Sequence, residues 1–195
     1  MPRLLITGFE PFGGENVNPA WEAVRALPDT LDGWQIVKLQ VPVVFGLAGE
    51  TVLKKAAEVQ ADAVIAVGMA AGRAAVTPEL VAINRRYAEV PDNAGQRFCD
   101  VPCDENGKNA YFATLPVRRM AEAIREKGLK GAVSTTAGTY VCNDLMYALL
   151  RTYENTAVRA GFIHVPCLPE QAGDKYPSMT KEEIVMALEA AIGVL

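Results

Sequence analysis

Cys142, His164 and the carboxylates Glu79, Asp144 and Glu170 are the residues of this chain whose types and placement suit nucleophilic chemistry. Cys142 lies in STTAGTYVCNDLMY (residues 134–147), where a strand should run through a Gly138 turn into a helix carrying the thiol in its first turn. Free backbone N–H groups and the helix dipole favour a thiolate there, and the thiolate is the nucleophile. His164, the only histidine, stands near the end of the apolar run AGFIHV. Imidazole titrates near neutrality, so it can take the thiol proton or hold the thiolate as an ion pair. A further group should orient the ring through its other nitrogen, and spacing does not choose among Glu79, Asp144 and Glu170. Asp144 is most simply a partner for the helix dipole. Packing is the competing reading for Cys142, since cysteine is among the most buried residue types. Cys167 is a rival nucleophile, disfavoured because the near-extended Val165–Pro166 link holds its side chain away from His164.

Positioning such groups takes a framework that brings strand ends together. Arg3–Phe9 and Asp62–Val67 are continuous apolar runs, as expected of strands covered on both faces, and Trp34–Val41 alternates in part. Asn18 and Pro19 open a helix that ends near Pro28, and helical spacing recurs over residues 45–59, 116–127 and 141–155. Ala132–Thr135 reads as the strand feeding the cysteine helix, and Ala160–Val165 as the final strand. Thr180 and Glu183 form a capping box before a last helix whose Ile184, Met186, Leu188 and Ile192 should cover the sheet. Glu79 begins the strand-like ELVAIN, and residues 85–107 read as a polar, turn-rich excursion with a hairpin. The alternation predicts an α/β fold: one domain over residues 1–195, with a central mixed, mostly parallel twisted sheet flanked by helices on both faces. In such a sheet the strand C-terminal ends share one edge, where Cys142 and His164 can meet.

Composition narrows the partners. A net charge of −4 argues against a nucleic-acid or anionic-membrane surface, and no apolar run approaches a membrane span. The N-terminal MPRLLITGFEPFGG reads as a first strand and not as an export signal, and the four cysteines are sparse; together these predict a cytoplasmic protein with reduced thiols. Neither Cys99/Cys103 nor His164/Cys167 has the paired spacing of a zinc site, so no metal is expected. The loop EPFGG lacks the lysine of a phosphate loop, which leaves Phe9 and Phe12 as candidate walls of an apolar pocket. The small-residue loop GMAAGR, containing Met69, reads as the floor of a ligand site.

With GFEPFGGENVNP, ELVAIN, PDNAG, AGTYVCNDLMY and FIHVPCLPEQ in order, the chain resembles type I pyroglutamyl peptidases over nearly its whole length. The resemblance implies a cytoplasmic cysteine peptidase, needing no cofactor, that removes an N-terminal 5-oxoproline residue from peptides. It implies a homo-oligomer, a tetramer in preference to a dimer. It assigns the nucleophile to Cys142, the base to His164 and the orienting carboxylate to Glu79, and it places Phe9, Phe12, Val43, Val90, Tyr140 and Val141 around the lactam. Three positions depart from the family pattern. Met69 stands where several relatives have Gln, Cys167 where Tyr is common, and Glu89, in YAEVPDN, where many relatives carry Arg in DARIPDN. A Glu89 carboxylate near Cys142 would oppose a thiolate and an oxyanion, so the alternative expectation is a weakened relative that binds an N-terminal lactam without efficient turnover.

Overall fold

The computed structural model describes residues Met1–Leu195. In chain order the elements are β1 (Arg3–Phe9), α1 (Pro19–Ala26), β2 (Thr30–Leu31), β3 (Trp34–Val41), α2 (Leu47–Glu58), β4 (Ala63–Met69), β5 (Thr77–Pro78), β6 (Val81–Ile83) and β7 (Ala110–Phe112). They are followed by α3 (Val117–Glu126), α4 (Val141–Thr152), β8 (Arg159–Val165), α5 (Pro169–Ala172) and α6 (Lys181–Ile192). The main sheet has the order β2-β3-β1-β4-β8-β5. Its inner neighbours are parallel, and the short β2 and β5 run antiparallel at its edges. Strands β6 and β7 form a separate antiparallel pair.

The continuous apolar runs of β1, β4 and β8 follow from burial on both faces. Alternate residues enter different cores: Leu4 and Ile6 pack with α1, α3 and α6, whereas Leu5 and Phe9 pack with α2 and α4. Helix α1 starts where Asn18 Oδ1 accepts the Ala20 N–H at 3.0 Å, with Pro19 already at the helical φ. It lies so close to β1 that a Cβ at Gly8 would come within 2.6 Å of Trp21 Cα. Helix α6 begins with the expected capping box of Thr180 and Glu183. Its Ile184, Leu188 and Ile192 are buried, but Met186 is 45% exposed and does not cover the sheet, because its position falls on the solvent side of the stripe.

The expected strand at Ala132–Thr135 is reduced to isolated bridges, Val76 with Gly131 and Glu79 with Ser134. The backbone still runs beside β5, with Ser134 N–H donating to Pro78 O at 3.0 Å and Leu80 N–H to Ser134 O at 2.8 Å. Pro78 has no N–H to contribute, so a regular ladder cannot extend across this edge. In the excursion over residues 85–107 the expected hairpin is a single antiparallel bridge, Arg86 with Val101.

Candidate active site

Helix α4 places Cys142 at its second residue, after Gly138 has turned the chain at φ +78°. The site is shaped as much by a missing side chain as by those present. A Cβ on Gly68 would lie 3.1 Å from Cys142 Sγ and 2.8 Å from Phe162 Cζ, so the thiol rests over bare backbone at the end of β4. Gly68 pairs with His164 in the parallel register of β4 and β8. Register neighbours project to the same face, and adjacent strands are about 4.8 Å apart. Cys142 Sγ and the His164 side chain therefore lie on the same face of the sheet, near the C-terminal ends of β4 and β8. The ring centroid of Phe162, two residues before the histidine, lies 4.7 Å from that of His164 and backs the imidazole.

Glu79 reaches the same place through the backbone that continues from β5, its N–H donating to Phe162 O at 2.9 Å. Its side chain is fully buried, and Oε1 accepts the His164 Nδ1–H at 2.7 Å. A carboxylate only accepts, so the Nδ1 proton is fixed by this bond and Nε2 is left free. The other two carboxylates go elsewhere. Asp144 is buried and tied to Arg86 Nε at 2.6 Å and to the Gly46 N–H at 2.8 Å, which corrects its reading as a simple dipole partner. Glu170 is exposed and lines a different cleft, alongside Glu22 and Glu182.

One residue of the site escaped sequence reasoning. Arg73, from the loop read as a ligand-site floor, donates through Nη1 to Glu79 Oε1 and to Thr77 Oγ1, each at 2.6 Å, and through Nη2 to Thr136 O at 2.8 Å. A GR pair in a small-residue loop six residues ahead of a buried glutamate was the available signal. All of Glu79's side-chain bonds fall on Oε1; Oε2 is buried and without a partner.

Burial sets the charge state of the pair. It pushes the Cys142 thiol up to about 12, helped by the Glu79 carboxylate and opposed by Arg73 and the thiol's own backbone N–H. Burial also lowers the His164 imidazole, and Arg73 acts in the same direction, against Glu79. Both shifts run against the charged forms of the pair. Loss of solvation and the nearby carboxylate therefore oppose the thiolate that the helix start favours.

Beside Cys142 opens an apolar cavity of about 170 Å³, walled by Phe9, Phe12, Val43, Met69, Tyr140 and Val141, with Glu15 its only charged lining residue. Aromatic contacts fix this wall: Tyr140 lies 5.5 Å from Phe12 and 5.2 Å from Phe45, centroid to centroid. The PDNAG turn braces it. Tyr140 Oη donates to Pro91 O at 3.0 Å, Asp92 accepts the Phe45 N–H at 3.0 Å, and Asn93 Nδ2 donates to Glu10 Oε1 at 2.7 Å. Val90 is not part of the lining; it is 53% exposed, because the turn offers Pro91 and Asp92 inward instead. Glu89 is also exposed, takes part in none of the ion pairs, and is not among the groups that shift Cys142. Cys167 is buried with Sγ 3.7 Å from Met69 Sδ, behind the cavity wall and outside the lining.

An α/β sheet that presents a thiol, an imidazole and a carboxylate at one edge, next to a small apolar cavity, has the architecture of a thiol hydrolase. The chain matches the pyroglutamyl peptidase family model over residues 2–195 and belongs to that family. It is 50% identical over 194 residues to the pyrrolidone-carboxylate peptidase of Levilactobacillus brevis, covering 97% of this chain and 95% of that one. It is 45% identical over 197 residues to the enzyme of the same name from a Thermoanaerobacter strain, covering 99% and 97%. Among solved structures, pyroglutamyl peptidase I of Bacillus amyloliquefaciens superposes with a TM-score of 0.95 at 41% identity, covering 100% of this chain and 96% of that one. A mutant pyrrolidone carboxyl peptidase of Pyrococcus furiosus gives 0.93 at 38% identity, covering 98% and 97%.

Proposed function

We propose that residues 1–195 act as one peptidase unit that hydrolyses the bond after an N-terminal pyroglutamyl residue, with Cys142 as nucleophile, His164 as base then acid, and Glu79 as the group that orients His164. The observation that carries this reading is the juxtaposition of Cys142 with both the cavity and the His164–Glu79 pair. Nε2 of His164 takes the thiol proton as Sγ attacks the pyroglutamyl carbonyl and the sulfur–carbon bond forms. The N–H groups opening α4 have no intrahelical partners and are suited to the oxyanion. Collapse breaks the carbon–nitrogen bond, and the imidazolium hands its proton to the departing amine. Water, deprotonated by the same imidazole, then cleaves the thioester and restores the thiol.

The cavity suits the lactam. A 5-oxoproline ring has no free α-amine, so its pocket needs little charge, and Phe9, Phe12, Val43, Tyr140 and Val141 supply apolar walls. Met69 adds a thioether to the same wall. Four unpaired cysteines agree with a reducing, cytoplasmic setting, and no helix is long and apolar enough to cross a membrane. Family resemblance is the ground for a homotetrameric assembly. The test is release of amine from a fluorogenic pyroglutamyl amide under reducing conditions. Activity is expected for the parent and for Cys167→Ala, with loss of at least about 10⁴-fold in Cys142→Ala. Turnover that survives in Cys142→Ala would overturn the assignment of the nucleophile.

A further inference from the structure

We infer that Arg73 is a positioning residue of this site, holding Glu79 so that its Oε1 orients His164 while the imidazole stays free to accept a proton. The role rests on the peptidase reading above; the geometry stands by itself. Glu79 is fully buried and Oε2 has no partner, so one oxygen carries the whole interaction of this carboxylate. That oxygen is shared between His164 Nδ1 at 2.7 Å and Arg73 Nη1 at 2.6 Å. Arg73 is itself fixed at Thr77 Oγ1 and Thr136 O. Thr77 is the register partner of His164 on β5, and Thr136 lies in the turn that leads to Cys142. One guanidinium therefore ties together the carboxylate, the strand beside the imidazole and the loop before the nucleophile.

The charges make this more than a brace. A buried carboxylate with no cation would draw a proton onto the imidazole 2.7 Å away and keep it there, because an imidazolium–carboxylate pair is the remaining way to neutralise the charge. Arg73 supplies the cation instead, and leaves His164 neutral. Glu79 and Arg73 are the charged groups that act on His164; the same two act on Cys142, which lies near Tyr140. None of the others carries a positive charge, so nothing replaces Arg73. Lysine at this position would keep the charge but could not span Glu79 and Thr136 with a planar fork.

His164 is the only histidine of the chain, so its imidazole gives a single, unambiguous NMR signal. The experiment titrates that signal in the parent, Arg73→Gln and Arg73→Lys, and follows iodoacetamide alkylation of Cys142 in the same samples. In the parent, ¹⁵N shifts are expected to report a neutral ring with the proton on Nδ1. In Arg73→Gln the His164 midpoint and the Cys142 alkylation profile should both move to higher pH, with kcat/KM at neutral pH down about 100-fold. Arg73→Lys should restore the titration towards the parent but recover only part of kcat. An Arg73→Gln titration that stays in place or moves down overturns the inference, as does a loss confined to thermal stability. Should Arg73→Gln not fold, a parent-like Arg73→Lys titration joined to full kcat would overturn it equally. The NMR readout does not depend on turnover, so an inactive parent would refute the peptidase reading and leave this test standing.

Discussion

Two buried carboxylates in this molecule are built alike and are suited to different work. Glu79 pairs with Arg73 and Asp144 with Arg86, each at 2.6 Å, and the two arginine side chains are 25% and 21% exposed. They differ in the third partner. Glu79 accepts from an imidazole whose far nitrogen is free, whereas Asp144 accepts from the Gly46 N–H ahead of α2. The backbone amide cannot pass a proton on, so the second pair can only fasten α4 to its surroundings. Arg86 reinforces that by lying 5.2 Å from the Phe98 ring centroid and 5.9 Å from that of Phe45. A buried ion pair is therefore no sign of an active site; what the carboxylate does with its remaining bonding capacity is.

The largest expected contrast comes from neutralising each acid in turn. Glu79→Gln should lower kcat by about 10⁴-fold, because an amide no longer fixes the Nδ1 proton or stabilises the imidazolium that forms. It should leave a cooperative unfolding transition. Asp144→Ala should do the reverse, costing about 3–5 kcal/mol because Arg86 and the Gly46 N–H lose their acceptor, as read from the urea midpoint. Its kcat/KM, measured where the variant is still folded, should change far less than that of Glu79→Gln. An Asp144→Ala enzyme that is stable but inactive would erase the distinction between the two pairs.

This contrast also marks what could be read from the sequence. The Gly138 turn, the helix that carries Cys142 and the strand end at His164 were legible because apolar periodicity and a glycine are local signals. The choice among Glu79, Asp144 and Glu170 was not, since all three stand near strand or helix ends and differ only in what packs against them. Family resemblance selected Glu79, and spacing alone could not. Arg73 was hidden for the same reason: its partners at Thr77, Glu79 and Thr136 are joined by the fold, the last of them 63 residues away. The strand expected at Ala132–Thr135 failed on a property of its neighbour, the absent N–H of Pro78, which a reading of its own residues does not contain.

A pH series separates the pairs by a smaller effect. Burial lowers the His164 imidazole below its ordinary 6.5, so kcat/KM should hold into mildly acid solution before its acid limb sets in. The sign for stability follows by linkage. As pH falls through 6.5 the unfolded chain takes up a proton that the folded chain does not, so stability declines between 6.5 and the folded value and then levels as far as this group is concerned. Both trends belong to the Glu79 side of the comparison. Asp144→Ala should shift the whole stability curve down without moving the acid limb of kcat/KM. An acid limb at or above the ordinary imidazole value would contradict a buried, neutral His164.

The smallest effect is expected at Glu89, an exposed acid that takes part in no ion pair. The family resemblance sets an arginine at this position, so Glu89 would be a charge reversal near the PDN turn that opposes the chemistry at Cys142. The structure turns the side chain to solvent, and the turn's contacts with the cavity are made by Pro91, Asp92 and Asn93 instead. A solvated charge acts only through a field that is screened over about 8 Å at physiological ionic strength. Glu89→Arg should therefore change stability by no more than about 0.5 kcal/mol. Its effect on kcat/KM should be a few-fold at low salt, fading as salt rises. A gain of about 100-fold that survives high salt would require Glu89, or the arginine replacing it, to reach the bound substrate directly.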